Sequence, residues 1–160
     1  MKDTFTQAIR LGIIILLLAC VLGWADAVFF APRRLPVCMQ SKLPEGRICL
    51  ETLRARHQDR VVWIDARSQS DFELNHLMLP ENRMFPIRKG PAMQQQVDAA
   101  IGRMLEAAER NECIVVFCTA DCTASDEIAA ELRDLGLIDA PIYTLEGGWP
   151  VLKASGMVND

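Results

Sequence analysis

Histidine is scarce in this chain: only His57 and His76 occur among 160 residues. Neither stands near a cysteine pair, so the closely spaced ligand sets of zinc sites are missing, and no metal or other cofactor is expected. Internal repeats and low-complexity tracts are also missing, which excludes solenoid and fibrous architectures. Positive charge is not in excess, with 17 Lys and Arg against 21 Asp and Glu, and no nucleic-acid partner is expected.

Charge is absent altogether from Leu11 to Ala25, LGIIILLLACVLGWA, and apolar character resumes after Asp26 with AVFFA. From Ala8 to Ala31 only Arg10 and Asp26 interrupt it, both near the ends, where a side chain can reach the interface. Trp24, Phe29 and Phe30 are placed like an interfacial belt, with Arg33 and Arg34 just beyond. Ala25-Asp26-Ala27 has the form of a signal-peptide cleavage site, and Leu17-Leu18-Ala19-Cys20 loosely that of a lipoprotein. Apolarity continues past both sites, so residues 1–32 are read as an uncleaved single-pass anchor with the membrane as partner. Lys2 and Arg10 precede this span, whereas Arg33, Arg34, Lys42 and Arg47 follow it. On charge alone the following domain leans to the cytoplasm. Cys38 and Cys49 flank a Pro44-Glu45-Gly46 turn and can pair in an oxidising compartment; alternatively Cys49 is simply buried.

Residues 33–45 contain Pro36 and Pro44, follow Pro32 and show no periodicity, so they read as a linker. The domain expected at 46–156 alternates strands and helices. Strands are predicted at Ile48–Leu50, Val61–Ile64, Phe85–Ile87, Ile114–Phe117 and Ile142–Leu145. Helices are predicted over Glu51–His57, from Ser68 through Leu74, over Val97–Arg110, from near Ser125, and after Trp149 to Ala154. Ser68 with Asp71 makes a capping-box-like start. This alternation implies an α/β fold, a parallel sheet covered on both faces, with function at the carboxyl ends of its strands. Asp65, Cys118 and Glu146 lie there.

Cys118 ends the most apolar of these strands. Small and polar residues follow, Thr119, Ala120, Asp121, Cys122, Thr123 and Ala124, before Ile128, Ala129, Leu132 and Leu135 recur at helical spacing. A cysteine between a strand end and a helix start meets backbone N–H groups and the positive end of the helix, which favour the thiolate that sulfur nucleophiles need. Packing alone is the competing reading for a cysteine closing a core strand, and it suits Cys113.

These residues resemble the rhodanese family. Val61-Val62-Trp63-Ile64-Asp65-Ala66-Arg67, with Asp71-Phe72 and Asn75-His76-Leu77, is similar to its first signature. Ile114–Phe117 with Cys118 is similar to the active-site strand and its sulfur-carrying cysteine, and Tyr143–Trp149 to the closing signature. The resemblance implies a five-stranded parallel sheet flanked by helices, here preceded by one transmembrane helix. It also implies sulfurtransferase activity through a persulfide on Cys118, with a small-molecule or protein persulfide or thiol as partner. Asp65, Arg67, Glu146, Gly147 and Gly148 would border the site, the glycines letting the last loop pass close to the cysteine loop. Bacterial rhodaneses behind one N-terminal span generally face the periplasm, and that side is expected here despite the charge count.

The pattern departs from the family at Thr123, where active members commonly carry Arg to meet an anionic donor. Ala129-Ala130 comes late, as if the loop were longer by about one residue. The related phosphatases have such a loop but close it with an Arg, so phosphatase activity is not expected. Asp121, Asp126 and Glu127 would repel a dianion such as thiosulfate. Cys122, four residues after Cys118, either fills the loop or acts as a resolving thiol. A thiol–disulfide redox module and a non-catalytic rhodanese-like binding domain are the alternative functions. His76 is expected to pack or cap beneath the sheet.

Overall fold

The computed structural model describes residues 37–158 apart from Asp121. The expected anchor at 1–32 lies outside them. Among the described residues no helix is long and apolar enough to cross a membrane.

Five strands, β1 (Arg47–Ile48), β2 (Val61–Asp65), β3 (Met84–Pro86), β4 (Cys113–Phe117) and β5 (Ile142–Leu145), pair in the order β1-β5-β4-β2-β3. Every pairing is parallel. Five helices alternate with them: α1 (Leu50–His57), α2 (Gln69–Leu74), α3 (Met93–Glu109), α4 (Ala124–Asp134) and α5 (Gly148–Ala154). The α/β architecture expected from the sequence is the one observed.

β2 and β4 are buried along their whole length because helices cover both faces of the sheet. Their side chains divide by the two-residue period of a strand. Val62, Ile64, Ile114, Val116 and Cys118 join the core under α3 and α4, with Met104, Ile128 and Leu132. Val61, Trp63, Cys113, Val115 and Phe117 face the other way, toward Leu53 of α1 and Leu152 of α5. Each fully buried Ile or Leu contributes about 1.5–3 kcal/mol, so this doubly covered centre is the part of the fold that holds the site still.

Several boundaries move for local reasons. Leu50 opens α1 rather than closing β1, because the Cys49 carbonyl already accepts the Leu53 N–H at 2.9 Å. α3 begins at Met93, which is buried, and its polar Gln94 and Gln95 face solvent. Ser68 caps α2 as its motif predicts, its hydroxyl accepting from the Asp71 N–H at 3.1 Å. His76 is exposed, its ring 6.4 Å from that of Phe72, rather than packed beneath the sheet.

Residues 37–45 were expected to belong to a linker, and they carry a 3-10 turn at Gln40–Lys42. The Gln40 amide donates to the Arg47 carbonyl at 2.8 Å and accepts from the Cys49 N–H at 2.9 Å. A Cys38–Cys49 disulfide ties the same segment to the domain.

Candidate active site at the end of the central strand

β4 is the middle strand, and Cys118 is the first residue beyond it. Its sulfur is nearly enclosed: Cys118 is 4% exposed, with Sγ 3.6 Å from the Ala66 carbonyl oxygen and 3.8 Å from Thr119 Oγ1. The loop then rises to the surface, where Thr119, Ala120 and Thr123 are exposed. Asp121 lies outside the described residues. Cys122 returns toward the strand end and is joined to Cys118 by a disulfide, the two Cα atoms 6.0 Å apart. Thr123 precedes α4, its carbonyl accepting from the Asp126 and Glu127 N–H groups, both at 3.1 Å, and Ala124 opens the helix.

The closing loop packs on this one at backbone distance. The Trp149 N–H donates to the Cys118 carbonyl at 2.8 Å. Gly148, at φ +52°, leaves room for that carbonyl: a Cβ there would lie 2.3 Å from the oxygen. Gly147 is also left-handed, but its missing Cβ makes room for Val151 instead. So Gly148 is the glycine that lets the two loops meet.

Asp65 and Arg67 form a closed unit beneath the site. The fully buried Asp65 carboxylate accepts from the Arg67 backbone N–H at 2.9 Å and from its guanidinium at 2.7 Å. The same guanidinium lies 3.4 Å above the Trp149 ring and donates to the Asn75 carbonyl at 2.6 Å. These groups set the positions of the strand end and of Trp149; their own polar atoms are taken up by one another.

Three basic residues near the site escape a reading of the sequence. Arg47 on β1 pairs with Asp126 at the start of α4 and, at 2.9 Å, with Glu146. These ion pairs hold the Arg47 guanidinium above its ordinary pKa, the hydrogen bond to Asp126 contributing most. Lys89 pairs with Glu127. Two of the acids expected to repel an anionic donor, Asp126 and Glu127, are therefore each paired with a cation. Arg88 donates to the Arg67 carbonyl at 2.7 Å and lies 5.2 Å over Phe72, while one of its terminal nitrogens is buried without a partner. No local signal points to Arg47, because its partners are 79 and 99 residues away.

A family profile, described as Rhodanese-like domain, matches residues 50–155. The chain belongs to the rhodanese-like family. Membership points to sulfurtransferase-type or related chemistry. No curated protein matches the chain. Four solved chains match it. Among them is the N-terminal domain of a protein described as ATP/GTP binding, from Clostridium difficile 630. It is 23% identical with a TM-score of 0.43, over 69% of this chain and 98% of that one. Within this rhodanese-like domain, Cys118 and Cys122 are brought together, Gly148 is placed against the Cys118 carbonyl, and Glu146 is tied to the first turn of α4 through Arg47. No group of side chains among the described residues is arranged to hold a metal ion.

Proposed function

We propose that this domain is a sulfurtransferase in which Cys118 carries sulfane sulfur as a persulfide. The observation that supports it best is the place of Cys118: the end of the central parallel strand, in a loop that leads directly into the N-terminus of α4. The Cys118 thiolate attacks the outer sulfur of a persulfide donor, a new S–S bond forms, and the donor thiolate leaves with the electron pair. An acceptor thiol or cyanide then takes the outer sulfur and restores the Cys118 thiolate. A position just before a helix N-terminus favours the anionic forms throughout.

Intact-mass analysis of the reduced protein after exposure to a small persulfide tests this. One added sulfur on Cys118 is expected once Cys122 is replaced by Ser, and Cys118→Ser should abolish both loading and transfer. Transfer surviving in Cys118→Ser would sink the assignment. A second reading, a thiol–disulfide module, is supported by the Cys118–Cys122 disulfide itself, and predicts disulfide without any persulfide.

We further propose that residues 1–32 anchor the protein in a bacterial inner membrane, with the domain on the periplasmic side. The uncharged run from Leu11 to Ala25 supports the anchor. The Cys38–Cys49 and Cys118–Cys122 disulfides support the side, since disulfides persist in oxidising compartments. Alkaline phosphatase fused after Asp160 should be active; an inactive fusion beside an active cytoplasmic reporter would reverse the orientation.

A further inference from the structure

The bond between Cys118 and Cys122 has a consequence for what the site releases. The two Cα atoms stand 6.0 Å apart, inside the roughly 4.4–6.8 Å span that a disulfide tolerates, so the loop brings the sulfurs together without rearranging the backbone. Cys118 is 4% exposed and Cys122 is partly exposed. An acceptor from solution must reach past the loop to a sulfur on Cys118, whereas Cys122 is already beside it at a high effective concentration. Cys113 offers no competition, since its side chain is buried on the opposite face of β4.

We propose that Cys122 resolves the Cys118 persulfide internally, so that the domain releases sulfide and is left as the Cys118–Cys122 disulfide, which a dithiol protein reopens. This rests on the sulfurtransferase reading and names its product and its partner. The Cys122 thiolate attacks Sγ of Cys118, not the outer sulfur. The Sγ–S bond breaks, and the outer sulfur leaves with the electron pair as HS⁻, which takes up the proton given up by Cys122. Two cysteine thiols are thereby oxidised to a disulfide and the sulfane sulfur is reduced to sulfide. The external dithiol then attacks Cys122, the more exposed of the pair. Cys118 leaves as the thiolate that began the cycle, and the second thiol of the dithiol releases the mixed disulfide.

The test is a single turnover on the purified full-length chain. The protein is reduced with dithiothreitol, freed of it anaerobically, and given one equivalent of cysteine persulfide. Sulfide is then trapped with bromobimane, and intact masses are taken after alkylation. Wild type should release about one sulfide per chain and lose its Cys118 and Cys122 thiols, while Cys122→Ser should release at least roughly tenfold less and keep an added sulfur on Cys118. A wild-type chain that retains the persulfide, or carries it on Cys122, would overturn the proposal while leaving sulfur loading intact. A Cys122→Ser chain that carries a cysteine mixed disulfide, or nothing, in place of the added sulfur would overturn the sulfurtransferase reading as well.

Discussion

Gly148 and Cys118 meet at backbone distance: a Cβ on Gly148 would fall 2.3 Å from the Cys118 carbonyl oxygen. The cysteine loop and the closing loop are held in register by this approach and by the Trp149 N–H bond to the same oxygen.

Gly148→Ala should therefore push the loops apart. The contact and the left-handed backbone together predict a loss on the order of 2–4 kcal/mol, read from urea unfolding of the oxidised protein. Gly136, also left-handed but with open space around its Cβ position, should cost only about 1–2 kcal/mol as Ala, the backbone strain alone. Equal losses at the two positions would refute the packing argument.

The Asp65–Arg67 unit makes a stability prediction of a different kind. Asp65→Ala strands a buried guanidinium without its carboxylate, for an expected loss of about 3–5 kcal/mol. Replacing both, as Asp65→Leu with Arg67→Met, should recover much of it, because an apolar pair leaves no charge uncompensated. A loss under about 1 kcal/mol in the single variant would show that the pair is not stabilising Trp149 and the strand end.

Donor charge should govern turnover. With Asp126 held by Arg47 and Glu127 by Lys89, what the loop still lacks is an Arg aimed at the donor, so thiosulfate turnover should be feeble beside that of less charged persulfides. Thr123→Arg supplies a contact of about 1.5–3 kcal/mol, an expected gain of tenfold or more at low salt. Arg47→Gln frees two carboxylates and should lower thiosulfate turnover several-fold without slowing a neutral donor, the difference shrinking as salt rises. Efficient thiosulfate turnover by the wild-type chain would contradict this.

Cys113 predicts a pH effect. Burial raises its thiol from 9.0 to about 12. The folded chain keeps the proton over that window and the unfolded chain loses it. This contribution to stability is therefore complete below about pH 9 and declines as pH climbs toward 12. Urea midpoints of wild type should fall more steeply above pH 9 than those of Cys113→Ala. Parallel slopes would mean that the thiol is reachable in the native state.

The sheet was legible because its central strands are buried on both faces and read as unbroken apolar runs: β5 has the predicted boundaries, and β4 gains only Cys113. The strand–cysteine–loop–helix order was legible for the same reason, since an unbroken apolar run gives way to apolar residues at 3.6-residue spacing beyond Cys118. Edge strand β1 was less so, because two paired residues leave almost no pattern and Cys49 and Leu50 are as apolar as a strand needs. The charge balance of the site was not legible. It depends on Arg47 reaching Asp126 and Glu146 across the sheet, contacts that exist only once β1 lies beside β5.

The Cys38–Cys49 bridge decides how the domain answers to tension. β1 is only two residues long and sits at the sheet's edge, so a pull from the N-terminal side would otherwise peel it away from β5 one hydrogen bond at a time. With the bridge closed, load arriving at Cys38 bypasses the residues between and enters at Cys49, beyond the strand, so that β1 stands outside the path of the load. Reduction would restore the peeling route and expose Arg47, and with it Asp126 at the mouth of the cysteine loop, before the core itself gave way.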